Sequence, residues 1–275
     1  MFRLVLFALL FAQGAEARPR YDDHLLPEDS VFTDIDFRLS AFDGPYGSDF
    51  QHYMHYEENV ARVLRDAFRF EIVGRVVAYP SFEPEYAVAL EFKEEKYRIL
   101  FFEPSVQLRH FDELEIMNEK INEKPDSDFR KEELASYLEY LEAENINLPE
   151  TREEVEVSQC GISISNELGD KLYSLWSEML FRTRYPDLPP AGVKSEPVMI
   201  NSGIDGTRYH FSFEYPGFTL AGQIWQPRAE SLTGKFVHVS SMMKDACRSE
   251  GVAKILAELE SHVDRLNAEL AETDN

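Results

Sequence analysis

The segment from Asp205 to His210 brings together the densest set of reactive side chains in the sequence. Strand side chains alternate between two faces, so Arg208, His210 and Ser212 would share one face of a strand that starts here. The imidazole of His210 beside the carboxylate of Asp205 could serve as an acid–base pair. The competing interpretation is a turn aspartate at the start of a hairpin and a histidine on the solvated face of the strand.

Four further side chains are candidate binding residues. Arg182 and Arg184 stand at the C-terminal end of a predicted helix, where the helix dipole favours cations. Tyr209 lies next to His210, and Trp225 is on the following predicted strand. The sequence leaves open whether these side chains meet in one cleft.

A possible metal site would involve His52 and His55, which lie three residues apart on a predicted helix with Glu57 and Glu58 close by. Residues at this spacing share a helix face, but two histidines and a carboxylate are too few to specify a site. An exposed polar helix face is the favoured interpretation, and we predict no metal.

No recognised catalytic or nucleotide-binding motif occurs in the chain. The sequence has no G-x-S-x-G nucleophile elbow, no glycine-rich phosphate loop, no EF-hand loop and no C-x-x-C pair. A Ser–His–Asp triad assembled from distant segments is left open, because triad members need not be close in sequence. We therefore predict no cofactor, and a non-enzymatic protein is the favoured class.

The N-terminus is typical of a cleavable export signal. A single arginine, Arg3, precedes the nine-residue apolar run Leu4–Ala12, and small residues follow at Ala15 and Ala17. The run is about half as long as a bilayer span, and no later segment is long and apolar enough for one. We expect residues 1–17 to be removed and the mature protein to be periplasmic or secreted.

The two cysteines of the chain are Cys160 and Cys247. An even number of cysteines in an exported protein favours a disulfide. The alternative is two buried free thiols. A bridge would also remove both side chains as catalytic nucleophiles.

The net charge of −23 is unevenly distributed. Residues 112–154 hold fifteen acids and five bases, a local net charge of −10. Nucleic acid is not an expected partner, because neutralising phosphates requires Lys and Arg. An acidic field attracts a basic protein, a cationic peptide or divalent cations. The competing interpretation is that the acidity only keeps an exported protein soluble.

Hydrophobic periodicity predicts an α+β fold in which antiparallel hairpins form a sheet with several helices packed on it. We expect an extended polar arm at 18–47 and a single domain at 48–275. The predicted helices are 49–68, an amphipathic helix around Leu134–Leu141 that ends at Pro149, 166–182, 236–247 and 252–270. The predicted strands are 71–79, 86–92, 97–102, 198–201, 207–213 and 219–225. A helix followed by a strand and a hairpin occurs twice, which would fit an internal duplication.

These observations support three hypotheses of different class. The leading one is an exported, non-enzymatic protein whose acidic surface binds a basic partner, for example an inhibitory or immunity-type protein that covers a toxin or enzyme. The second is an exported hydrolase that uses His210 with Asp205 or a distant acid. The third is a housekeeping protein of the cell envelope without a catalytic site. The sequence does not predict the oligomeric state.

Overall fold

The computed structural model of the chain describes residues 56–125, 128–183, 206–215 and 217–273. Within these ranges it has six helices and a six-stranded antiparallel sheet, which confirms the predicted α+β fold. The predicted signal segment 1–17, the arm 18–47, the start of the helix at 49–68 and the strand at 198–201 lie outside the described residues.

The sheet has the strand order β4-β3-β2-β1-β5-β6. Its strands are β1 (Ile72–Pro80), β2 (Tyr86–Lys93), β3 (Lys96–Pro104), β4 (Val157–Ser163), β5 (Thr207–Tyr215) and β6 (Phe218–Trp225). Five of the six were predicted within two residues, because β-branched and aromatic residues alternate there. Strand β4 was missed, since it lies at the edge of the sheet and most of its side chains are polar or glycine.

The helices are α1 (56–63), α2 (Arg109–Glu123), α3 (Asp128–Ala143), α4 (Asn166–Phe181), α5 (Leu232–Arg248) and α6 (Val252–Thr273). A short 3-10 turn, Arg65–Phe68, follows α1. One helix was predicted within residues 112–154. The structure has two helices in this region, α2 and α3, and α2 was not predicted.

The predicted end of the acidic helix at Pro149 is wrong. Helix α3 ends at Ala143 because Asn145 adopts a left-handed backbone, with φ of 56°. The Ile146 amide donates to the Leu141 carbonyl at 2.8 Å, and the Asn145 amide donates to the Glu142 carbonyl at 3.0 Å. This pair of bonds is the Schellman arrangement, which satisfies the last carbonyls of a helix.

One face of the sheet is covered by α4 and α5, and α6 packs on these two helices. Trp176 of α4 and Phe236 of α5 pack edge to face at 4.7 Å, and Phe236 stacks on Phe211 of the sheet at 4.4 Å. Ser165 is the N-cap of helix α4, as predicted, and its hydroxyl accepts from the Leu168 amide at 3.2 Å. Aromatic and aliphatic side chains of all three helices therefore form the larger core.

The opposite face carries α1, the 3-10 turn and the start of α2. A smaller apolar core lies there, built around Val60, Leu64, Leu100, Phe102 and Leu108. This core covers the β1–β2–β3 part of the sheet. The same face of β5 and β6 instead carries polar side chains, and the candidate site lies on that side.

Cys160 of β4 and Cys247 near the end of α5 lie at disulfide-bonding distance, with their Cα atoms 5.7 Å apart. The pair connects the edge strand to the helical layer across 87 residues of sequence. No helix in the described ranges is both long and apolar enough to cross a bilayer.

Candidate functional site

A cleft of about 430 Å³ lies between α2, the start of α1 and the end of the sheet where β1 finishes. Its walls carry three aromatic rings, three cations and two carboxylates. These are Tyr56, Tyr79 and Trp225; Arg109, Lys120 and Arg208; and Asp112 and Glu113. We refer to this feature as the cleft.

The sheet wall of the cleft is one row of cross-strand neighbours. Arg208 of β5 pairs with Tyr79 of β1 on one side and with Trp225 of β6 on the other. The Arg208 guanidinium carbon lies 4.8 Å from the centre of the Tyr79 ring, and its Nη2 donates to Glu57 Oε1 at 3.0 Å. Arg208 is only 5% exposed, so this carboxylate and ring hold the guanidinium in a fixed position.

His210 occupies the next row of the same face, opposite Gln223. Its Nε2 lies 3.7 Å from Glu57 Oε1, and its ring centre is 5.0 Å from that of Tyr79. Tyr79 and Arg208 line the cleft, although both are at least as deeply buried as His210, which is 8% exposed. The carboxylate beside His210 in the described part of the chain is therefore Glu57, and Asp205 lies outside the described residues.

The predicted alternation along β5 is observed. Arg208, His210 and Ser212 share the polar face, and Ser212 follows His210 one row further from the cleft. Phe211 and Phe213 face the larger core. The Ser212 hydroxyl is buried and forms no hydrogen bond with a described residue.

The helix wall of the cleft is positioned by Glu85, a fully buried carboxylate immediately before β2. Its oxygens accept from the backbone amides of Leu108 at 2.8 Å and Arg109 at 3.2 Å, at the start of α2. They also accept from the hydroxyl of Tyr56. Burial raises the pKa of Glu85 above its ordinary value, against the opposing effect of these donors. Glu85 thus fixes α2 and Tyr56 relative to the sheet.

Asp112 is the most deeply buried charged residue that α2 contributes to the cleft, at 7% exposure. Its Oδ1 accepts from Asn59 Nδ2 at 2.9 Å and from Arg152 Nη2 at 3.1 Å. Its Oδ2 is buried and accepts no hydrogen bond from a described residue. Burial raises the pKa of Asp112, and Arg152 partly offsets that effect.

Two of the other predicted binding residues, Arg182 and Tyr209, lie away from the cleft. Arg182 lies at the end of α4, where its Nη2 donates to the Leu270 carbonyl at 2.9 Å. Tyr209 packs against the larger core on the far face of the sheet. Arg184 lies outside the described residues, so Trp225 is the one member of the predicted set seen at the cleft.

The candidate metal ligands His52 and His55 lie outside the described residues. Within the described ranges, no three His, Cys, Asp or Glu side chains are grouped so that they could hold a metal ion.

Helices α2 and α3 pack on each other and form a second distinctive feature, which we call the acidic hairpin (residues 109–143). His110 Nδ1 and the Tyr137 hydroxyl are hydrogen-bonded across the pair at 2.8 Å. Leu141 is the only buried residue of α3, and Phe129, Leu138 and Tyr140 are 74%, 49% and 47% exposed. The predicted apolar stripe of this helix is therefore only partly covered.

Neither the geometry of the cleft nor that of the acidic hairpin could be predicted in full from the sequence. Glu57, Glu85 and Asp112 reach their partners across long stretches of chain, and no local motif marks them. Comparison with models of known protein families, with curated proteins and with solved structures found no match for this chain.

Proposed function

We propose that this chain is an exported, non-enzymatic binding protein whose acidic hairpin engages a basic protein. The observation that carries the proposal is the surface of α3, which leaves large apolar side chains exposed on an otherwise acidic helix. Export is supported by the signal-like N-terminus together with the Cys160–Cys247 pair, because disulfides persist in oxidising compartments.

The apolar part of α3 is wider than the surface that α2 covers. At 100° per residue, the apolar side chains extend over about 160° of the helix, in the order Tyr140, Tyr137, Leu141, Leu134 and Leu138. The middle of this arc is buried or half-buried, and its two edges, Tyr140 and Leu138, are exposed. A partner that covers either edge would remove apolar surface from water, which favours association.

The rest of α3 carries acids that point to solvent. Glu132, Glu139 and Glu142 are exposed on the side away from the apolar arc. Within the described part of the chain, none of the three is in an ion pair. Their charge is thus available to a cationic partner, and long-range attraction would increase the rate of association at low salt.

Reversing these charges tests the proposal. The protein, used as bait in a soluble extract of the cells that make it, should capture a basic protein that is then purified and titrated by calorimetry. The triple variant Glu132→Lys, Glu139→Lys, Glu142→Lys should weaken that binding roughly fivefold to a hundredfold, since three exposed attractions are lost. The remaining affinity should be less sensitive to salt.

A matched triple variant tests whether binding depends on the position of the charges or only on their number. Glu230→Lys, Glu250→Lys, Glu272→Lys makes the same change of net charge at exposed positions outside the hairpin. It should bind nearly as tightly as the unmodified protein. The proposal fails if the captured protein is not basic, or if the two triple variants bind equally well.

A further inference from the structure

The outer edge of strand β4 carries backbone groups that the sheet does not use. The Ile164 amide donates to the Tyr97 carbonyl, and the Glu156 carbonyl accepts from the Ser105 amide, so the even-numbered residues of β4 form the hydrogen bonds to β3. The odd-numbered residues therefore direct their N–H and C=O groups away from β3, and these are Val157, Gln159, Gly161 and Ser163. Within the described ranges, no strand pairs with β4 on that side.

This edge lacks the features that normally prevent another strand from pairing with it, which are charged side chains, proline and β-bulges. Strand β4 has no charged residue and no proline, although 29% of the chain is charged. Its pairing with β3 runs from Arg98–Ser163 to Pro104–Val157 without a shift in register. Gly161 is exposed and has no side chain that could shield the backbone. A regular, uncharged and exposed edge of this kind is a template for a further strand.

A groove of about 440 Å³ lies beside this edge. Val157 and Gln159 line it, because their side chains point to the face of the sheet that carries the smaller core. Five apolar side chains contribute to its walls, namely Val63, Leu64, Phe102, Val155 and Val157. The charged side chains of the lining are three arginines and two acids, so neither sign of charge dominates. We call this feature the β4 groove.

The β4 groove lies where a paired strand would place its side chains. Residues opposite each other in a sheet point to the same face, and side chains alternate along a strand. A strand paired with β4 would therefore direct every second side chain to the side of the groove. Main-chain hydrogen bonds would supply affinity, and the groove would select an apolar side chain because it offers apolar walls.

We propose that the outer edge of β4 binds an extended, uncharged peptide segment of a partner protein, with one apolar side chain in the β4 groove. The segment continues the hydrogen-bond ladder that β3 and β4 already form. This surface does not include the acidic hairpin, so the proposal does not depend on the basic partner proposed above, and either proposal can fail alone.

A library of linear peptides of about nine residues provides the probe. Selection on the unmodified protein should enrich uncharged sequences in which apolar residues alternate. In a synthetic copy of an enriched peptide, N-methylation of one alternate set of residues should weaken binding about tenfold or more in calorimetry, because those amides pair with β4. N-methylation of the other set should change the affinity by less than about threefold. No enrichment, or equal effects of the two sets, overturns the proposal.

Two variants at Gln159 locate the site. Gln159→Pro removes one outward N–H and leaves the hydrogen bonds to β3 in place, and edge strands tolerate proline at such positions. It should weaken peptide binding about tenfold or more, whereas Gln159→Thr, which keeps the N–H, should stay within about threefold of the unmodified protein. Equal peptide affinity in the two variants would place the peptide elsewhere and contradict the proposal.

Sedimentation velocity of the protein without peptide tests the competing occupant, a second copy of this chain. We expect a monomer at micromolar concentration. A dimer that Gln159→Pro dissociates would assign the β4 edge to self-association and would overturn the proposal of a peptide partner.

Discussion

Replacement of Glu85 tests how the cleft and the acidic hairpin are held on the sheet. Glu85→Ala removes the acceptor for the Leu108 and Arg109 amides and for the Tyr56 hydroxyl. One of these donors is buried and two are partly buried. A buried donor left without an acceptor costs about 1–3 kcal/mol, and water recovers part of the cost for the other two, so we expect a loss of about 2–4 kcal/mol.

The isosteric variant Glu85→Gln distinguishes lost hydrogen bonds from lost charge. Glutamine keeps one acceptor oxygen, but its NH2 group cannot accept from the backbone amide that faces it, so the variant should lose about 1–2 kcal/mol, less than Glu85→Ala loses. Urea denaturation, followed by far-ultraviolet circular dichroism, measures both changes. A loss below about 1 kcal/mol in Glu85→Ala, or equal losses in the two variants, would refute the reasoning.

The free energies of unfolding of the unmodified protein and of Glu85→Gln should depend differently on pH. Burial raises the pKa of Glu85, so its contribution to stability is present below its ordinary pKa and is lost as the pH rises through the folded-state value. Glutamine does not ionise. The stability of Glu85→Gln relative to the unmodified protein should therefore increase between about pH 4 and pH 7.

Two further predictions concern stability. The double variant Cys160→Ser, Cys247→Ser should lower the free energy of unfolding by about 4–5 kcal/mol in the chain-entropy model, because the bridge closes a long loop. A loss below about 1 kcal/mol would mean that the two residues are not bridged in solution. Burial, the neighbouring His238 and nearby cations lower the pKa of His262, so the folded state resists its protonation and stability should fall as the pH drops through about 6.5. His262→Gln should show less of this loss in urea denaturation at about pH 5.5 and pH 7.5, and equal pH dependence would contradict the assignment.

The sequence predicted the parts of the fold that are encoded by periodicity. The alternation of Arg208, His210 and Ser212 with aromatic residues was sufficient to place β5 and the two faces of its side chains. Strand β4 was missed because its exposed edge position gives it no strong alternation. Helix α2 was missed because its apolar residues are few among its charges. Local pattern thus predicted buried elements better than exposed ones.

The candidate site was less predictable, because its contacts join distant segments. The sequence suggested Asp205 as the neighbour of His210, and the described structure places Glu57 beside it. Nothing local marks Asp112 as the carboxylate with an unsatisfied oxygen, since its burial depends on Asn59 and Arg152. The negative charge of residues 112–154 could be predicted from composition alone. The exposed apolar edges of α3 could not, because they depend on how α3 packs on α2.

Photo-crosslinking from the acidic hairpin tests the central claim most directly. A photoreactive amino acid at Leu138, on the exposed edge of α3, would be introduced in the cells that make the protein, with exposed Ala253 on α6 as the control position. We predict a discrete covalent adduct with a basic protein from Leu138 and none from Ala253, and the adduct should diminish in the triple lysine variant of α3. No adduct from Leu138, or the same adduct from both positions, would contradict the proposal that the acidic hairpin is a binding surface.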